Sequence, residues 1–367
     1  MRTRIHVALG LFVSMLAAFF FAFLFSNPLH DQTMHAAQAL EPTKQTLGSM
    51  LHDMTAIEQS YEAMGATASQ AAGHLSESRQ ALAELIESVS TQTAIDEAQR
   101  QAVDQLVATS QQHAKETEDT LDQILTNMLG EPIGQSFGER STVKVFSLKE
   151  AGYRGYMAKV KLHDPSAVKL VLSNNKVGDK GETTSQAGRR TGAVLAINGG
   201  GFARENGLLY PIGITVVDGE IKTFYRTDLS FIGFDNNGKL VGGEITTEEQ
   251  IKKLNVMQGA TFVPSLLKDG EKLTIPSAWR NKKEPRTLIG HFSNGDLLFI
   301  VIDGRQKGYS EGVTLEEAQD KLLEFKVRDA YTLDGGGSSA FYYNGKLLNS
   351  PSDGRERRLP TNFVVLP

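Results

Sequence analysis

Of the 35 glycines in this 367-residue chain, 31 lie after Leu129, and that asymmetry divides the chain into two kinds of polymer. A glycine in a helix interior costs roughly 1 kcal/mol relative to alanine, so long helices suit the first part and not the second. Charge divides at the same place. Residues 31–129 hold 4 Lys/Arg against 15 Asp/Glu, whereas residues 130–367 hold 32 against 28. An acidic helical segment followed by a turn-rich, slightly basic one is the expected organisation. There is no cysteine, which excludes disulfides, thiolate metal sites and cysteine nucleophiles.

Arg2 and Arg4 precede an uninterrupted apolar run from Val7 to Phe25. At ~1.5 Å per residue this run would span about 28 Å, close to the hydrocarbon thickness of a bilayer. The next basic residue is Lys44, so the excess of positive charge places the N-terminus in the cytoplasm. Residues 1–30 are therefore expected as a transmembrane signal anchor, single-pass, with everything after Ser26 extracytoplasmic. A cleaved signal peptide is the alternative, but the nearest small-x-small site, Ala37-Gln38-Ala39, lies far behind the apolar core.

From Leu47 apolar residues recur every seven positions, as in Leu47, Met54, Tyr61, Ala68, Leu75, Leu82 and Val89, with a second register through Met50, Ile57, Met64, Ala71 and Leu85. This spacing is the signature of a coiled coil. After the polar Ser90-Thr91-Gln92-Thr93 a second series runs from Val103 to Met128. Residues 31–129 are expected as a helical coiled-coil stalk, either a homodimerising element or an acidic helical spacer. Small and polar seam residues predict weak contact. Gly130-Glu131-Pro132-Ile133-Gly134 stops the helix and opens a linker over residues 130–140.

Residues 141–367 change to short β-branched and aromatic runs separated by Gly, Asn and Asp. Strands are expected at Val143–Leu148, Tyr156–Leu162, Val168–Leu172, Val194–Ile197, Ile214–Val217, Leu229–Phe234, Leu288–Phe292, Leu297–Ile302, Ala330–Leu333 and Ala340–Tyr343. Helices are expected near Thr184–Arg190, Thr247–Leu254 and Leu315–Phe325, the last capped by Thr314. The fold class is α+β around one large twisted mixed β-sheet with flanking helices.

Three strands end on polar residues followed by glycine: Asn198-Gly199-Gly200-Gly201-Phe202, Asp303-Gly304-Arg305 continuing to Tyr309-Ser310-Glu311-Gly312, and Asp334-Gly335-Gly336-Gly337-Ser338-Ser339. Each alone reads as a turn. Two three-glycine runs exceed what a turn needs, and they fit neither a Walker A loop nor a Rossmann fingerprint.

In this order, with Pro211-x-Gly213, Arg286-Thr287-x-Ile289-Gly290, Arg357 and Asn362, these stretches resemble the phosphodiester glycosidase family over roughly Val143 to Pro367. Three glycines before one aromatic depart from a more common arrangement of two and two. The resemblance implies hydrolysis between an anomeric carbon and a phosphate oxygen, in a sugar-1-phosphate diester of an envelope or extracellular glycopolymer. Glycosidic cleavage is usually handled by two carboxylates, and Asp303 and Asp334 are the natural pair. Arg286, Arg305 and Arg357 are candidates to hold the phosphate bidentately. The N–H groups of Gly335, Gly336 and Ser338 could form an anion nest, with Asn198, Gly199, Gly200 and Ser310 completing the substrate site. Glu311 is a weaker carboxylate candidate, and His163 and His291 read as structural. The competing readings are a metal-dependent phosphodiesterase, with Asp303, Asp334 and Asn198 as oxygen ligands for Ca²⁺ or Mg²⁺, and a non-catalytic glycan-binding module. No nucleic-acid partner is expected.

Overall fold

The computed structural model describes residues 44–53, 55 and 69–367. They divide into two units, one ending at Thr120 and the other spanning Leu121–Pro367.

In the first unit residues 44–53 are helical, and the 61-residue helix Ser69–Leu129 supplies the rest through Thr120. It runs through Ser90-Thr91-Gln92-Thr93 without a break, so the lapse in the heptad pattern is not a hairpin. Side-chain bonds at i,i+4, such as Gln92 to Asp96 (2.8 Å) and Gln112 to Glu116 (2.9 Å), suit an exposed helix. Leu85, Ile95 and Leu106 stand exposed, so the helix is observed but its pairing into a coiled coil gains no support. The expected single-pass membrane location is corrected: among the described residues no helix is long and apolar enough to cross a membrane. The apolar run Val7–Phe25 on which that expectation rested lies outside the described residues.

The second unit is α+β with large antiparallel sheets and few helices. Its central layer has eight strands in the order Pro132–Phe137, Ser141–Glu150, Tyr153–Leu162, Leu297–Ile302, Arg286–His291, Asp329–Leu333, Ser265–Lys268 and Glu271–Lys272. One five-stranded sheet runs Leu240–Gly243, Ser230–Asp235, Val256–Phe262, Ile214–Val217 and Glu220–Phe224. Another runs Lys346–Leu347, Phe341–Tyr343, Leu195–Asn198, Thr361–Val365 and Val168–Leu172, and Phe202–Glu205 pairs with Leu208–Pro211 as a hairpin. The expected single mixed sheet is thus replaced by several. Every pairing of the described strands is antiparallel. Short turns rich in Gly and Asn join neighbours locally, which only antiparallel strands allow.

Leu297–Ile302 explains why an uninterrupted apolar run can sit in such a sheet. Phe299 and Val301 face a core shared with the smaller sheets through Ile197, Phe234 and Phe363. Leu298, Ile300 and Ile302 face the other way, onto the helix Leu315–Glu324 through Ala318 and Leu322. Both faces are covered, so no polar alternation survives. That helix begins at Thr314 with a reciprocal capping box to Glu317, as the Thr-x-x-Glu spacing dictates.

Pro132–Phe137, expected as linker, is instead an edge strand paired with Ser141–Glu150. The helix end also belongs to this unit. Leu125 and Leu129 are buried beside Phe146, Leu148 and Met157, each contributing about 1.5–3 kcal/mol by apolar burial. Asp122 takes ion pairs from Lys144 (2.7 Å) and from Lys159, which is 2% exposed and also meets Asp296 at 2.6 Å.

Candidate active site

The neighbouring strands Arg286–His291 and Asp329–Leu333 stop beside the end of Leu195–Asn198, and Asn198 ties them together. It is fully buried. Its Oδ1 accepts from the Thr287 hydroxyl (2.7 Å) and the Ala340 N–H (3.1 Å), while its Nδ2 donates to the Asp334 carbonyl (2.5 Å). Such a satisfied buried amide fixes strand ends in place. Asn198, expected to touch substrate, therefore lies beneath the site and sets the position of Asp334.

Asp334 lines a cleft of about 590 Å³ that it shares with Glu284, Arg286, Arg305 and Arg357. Burial raises its carboxyl pKa to about 6, against hydrogen bonding from Ser338, the charge of Arg357 and the Gly335 N–H. A carboxyl titrating there can exchange a proton near neutral pH, as a general acid or base must.

Each glycine after Asp334 admits a different neighbour. A Cβ on Gly335 would lie 2.7 Å from the Pro285 carbonyl oxygen, and one on Gly337 would overlap the Arg357 guanidinium and Asp353 carboxylate. Gly336 has φ +59°, in the left-handed region, with the Arg305 guanidinium beside it. The run thus lets two arginines and a strand approach one turn. Its amides are partly used internally: the Gly336 N–H donates to Pro285 (2.9 Å) and the Ser338 N–H to Gly335 (3.2 Å). An anion nest of the expected kind is correspondingly reduced.

The arginines differ in their partners. Arg305 donates from Nε to Glu284. Arg357 reaches Asp353 (2.7 Å) and the Ser338 hydroxyl (3.1 Å). Arg286 is 6% exposed and donates only to backbone carbonyls, from Nε to Val313 (3.2 Å) and from a terminal nitrogen to Lys282 (2.7 Å). No carboxylate of the described residues pairs with it, and burial pulls its pKa down to about 10 against the pull of Glu284 and Glu316. A buried cation without a countercharge in a cleft wall suits an anionic ligand.

Asp303 is placed differently from expectation. It is 1% exposed and absent from the cleft lining. It accepts from Asn349 Nδ2 (2.9 Å), the Ser350 N–H (3.0 Å) and the Tyr309 hydroxyl (3.1 Å). Burial raises its pKa against those three bonds. Geometrically it ties the Asn349–Ser350 loop to the sheet. Ser310, another expected substrate contact, donates to the Asp303 carbonyl (2.5 Å) and is buried. Gly199 and Gly200 pack on backbone: a Cβ on either would crowd the Thr361 or Thr261 carbonyl oxygen, at 2.8 and 2.7 Å. Glu311 pairs with Lys283 (3.1 Å) and His291 with Asp329 (3.0 Å).

Of the oxygen ligands considered for Ca²⁺ or Mg²⁺, Asp303 and Asn198 are occupied by protein donors and acceptors. Among the described residues no group of three or more His, Cys, Asp or Glu could hold a metal ion. That residue set does not fit the cation it was considered for.

Sequence reasoning missed four cleft residues: Glu284, Lys282, Phe262 and Trp279. They sit on or beside loops that carry no strand-end signature. Only Trp279 carried a hint, as the chain's single tryptophan.

The phosphodiester glycosidase family model matches residues 191–366, a narrower span than the resemblance read from the sequence but the same family. The SPbeta prophage-derived uncharacterized protein YomE of Bacillus subtilis is 32% identical over 194 residues, 50% of this chain and 29% of that protein. The N-acetylglucosamine-1-phosphodiester alpha-N-acetylglucosaminidase of Bos taurus is 29% identical over 188 residues, 47% of this chain and 35% of that one. The chain thus spans about a third of the length of these curated relatives. The zebrafish counterpart of the bovine enzyme, solved as a catalytic domain auto-inhibited by its pro-peptide, superposes with a TM-score of 0.52 at 21% identity, covering 63% of this chain and 85% of that structure. That likeness establishes the fold.

Proposed function

Taking the phosphodiester glycosidase match over residues 191–366 as premise, we propose that this chain hydrolyses the glycosyl–phosphate bond of a sugar-1-phosphate diester. The observation that carries the reading is one cleft holding both Asp334, whose carboxyl pKa is raised to about 6, and Arg286, a buried arginine without a carboxylate partner. A phosphate is a good leaving group, so a strong acid on the bridging oxygen matters less than a cation that takes up the departing charge. Asp334 in its ionised form removes a proton from water as the water oxygen bonds to the anomeric carbon. The anomeric C–O bond breaks, its electron pair leaving on the phosphate oxygen, and the phosphomonoester stays on Arg286. The products are a free reducing sugar and a phosphomonoester, with the proton passed to solvent. Glu284, held by Arg305, supplies the second carboxylate, stabilising positive charge on the sugar as it develops.

The substrate class we favour is a glycopolymer joined through such diesters, of the envelope or extracellular kind. The test is incubation of the full chain with a panel of sugar-1-phosphate diesters, products being read by mass spectrometry. Release of reducing sugar supports the reading. Release of a sugar phosphate would instead place the cut at the phosphorus, and binding without products would make the chain a glycan-binding module.

A further inference from the structure

One stretch of the cleft lining is aromatic and another is cationic, and their chemistry specifies what can lie between them. Trp279 ends the short 3₁₀ turn Ser277–Trp279. The turn is held from below: Arg280 donates from Nε to the carbonyl of buried Ile275 (2.8 Å), and Gln319 donates to the Leu273 carbonyl (2.7 Å). Phe262 meets the indole edge-on, with ring centroids 6.0 Å apart and planes at 67°, an arrangement that fixes the plane of the Trp279 ring. Both aromatics are half-buried and both line the cleft. No hydrogen bond to the indole N–H occurs among the described residues, so an apolar face with a spare donor at its edge confronts the ligand.

The cationic stretch has two charges left over. Arg305 and Arg357 are matched by Glu284 and Asp353. Arg286 and Lys282 have no carboxylate within ion-pair distance among the described residues. They are also neighbours, since Arg286 donates to the Lys282 carbonyl at 2.7 Å. A diester phosphate carries one negative charge and its monoester product about two, so this pair can hold both.

From the proposed reading we infer that the cleft recognises a glycosyl phosphate as one unit, its phosphate on Arg286 and Lys282 and its sugar ring stacked on Trp279. A pyranose has an apolar C–H face and a polar rim, which match the indole face and its N–H. A free phosphate satisfies the cations alone, and a neutral glycoside the aromatic wall alone. Only the joined ligand engages both stretches.

Trp279 is the chain's only tryptophan, so its emission reports directly on the cleft. The full chain is titrated with hexose 1-phosphate, inorganic phosphate, a methyl hexoside and a nucleoside 5′-monophosphate. Hexose 1-phosphate should change the emission and bind at least ~10-fold more tightly than either inorganic phosphate or the methyl hexoside, a factor worth about 1.4 kcal/mol. By calorimetry, Trp279→Ala should lose that gain while keeping the parent's affinity for inorganic phosphate. Lys282→Ala, on an exposed side chain that leaves the core intact, and Arg286→Lys should weaken both phosphate-bearing ligands. The inference is overturned if inorganic phosphate matches hexose 1-phosphate, if the nucleotide binds more tightly than the sugar phosphate, or if Trp279→Ala leaves hexose 1-phosphate affinity unchanged. Because binding is read without turnover, tight hexose 1-phosphate binding with no diester hydrolysis would sink the hydrolase reading and leave the subsites standing. Hydrolysis with no response at Trp279 would do the reverse.

Discussion

Removing the Ser338 hydroxyl should shift the acid limb of the pH–rate profile to higher pH. Ser338 joins two groups: its oxygen accepts from Arg357 at 3.1 Å, and it hydrogen-bonds the Asp334 carboxyl. After burial, which raises the Asp334 pKa to about 6, the Ser338 bond is the largest influence on it and acts in the opposite direction. A hydrogen bond to a charged group contributes about 1.5–3 kcal/mol, and one pKa unit corresponds to about 1.36 kcal/mol. Asp334 is partly open to solvent, so the lower figure applies, giving a rise of about one unit. If ionised Asp334 is the base, a parent at half its maximal rate near pH 6 becomes, in Ser338→Ala, about fivefold slower there, with the two rates converging above roughly pH 8. The measurement is kcat/KM on a hexosyl phosphodiester over roughly pH 5–9, with circular dichroism to confirm that the variant is folded. An acid limb that stays at the parent's pH, or moves lower, would show that Asp334 is not the titrating group.

Asp334→Asn should lower kcat by ~10² or more and yet raise thermal stability at neutral pH. The folded pKa lies above the unfolded one, so the carboxyl's contribution to stability declines as pH rises through about 6; the variant's advantage should be present at pH 7.5 and gone near pH 4, by calorimetry. Asp303→Asn should keep much more of kcat than Asp334→Asn but lose about 1–3 kcal/mol in urea unfolding, because an amide NH₂ would face the Asn349, Ser350 or Tyr309 donors; equal loss of rate in both would restore Asp303 to the chemistry. Gly337→Ala should force Arg357 and Asp353 off the turn and lower kcat/KM, and a variant as active as the parent would show that this clamp is dispensable. A fragment Leu121–Pro367 should unfold cooperatively, whereas Ser141–Pro367, lacking the edge strand Pro132–Phe137 and the buried Leu125 and Leu129, should melt lower; matching melting curves would refute the helix end as part of the core.

Much of the β-rich unit was legible because its strands announce themselves twice, by composition and by their ends. Val168–Leu172, Ile214–Val217 and Leu297–Ile302 are found where the β-branched runs place them, and the capping residues Thr183, Thr247 and Thr314 all begin helices with reciprocal boxes. What the sequence hid was partnership. Pro132–Phe137 reads as a linker because Pro132 and Gly134 punctuate it, yet an edge strand tolerates both. A local pattern cannot say whether neighbouring hairpins share one sheet or divide among three, because that depends on which faces bury each other.

The site divides along the same line. Asp334 and Asp303 have the same local signature, an apolar strand ending on Asp-Gly, and nothing in either stretch distinguishes a carboxylate that faces a cleft from one that anchors a loop. Solvent access separates them, and it is decided by the chain around residues 349–358. That chain covers Asp303 with Asn349 and Ser350 but contributes Arg357 to the cleft where Asp334 stands. The same logic explains why the glycines misled. Gly199 and Gly200 look like room for a ligand, but the atoms that approach them are the chain's own Thr361 and Thr261. Glu284 and Trp279, by contrast, carry no glycine and sit on a loop whose position is fixed by Ile275 and Gln319 from elsewhere in the fold. Residues that a strand presents directly can be nominated from sequence. Residues presented by a loop become visible only when the elements that hold the loop are in place.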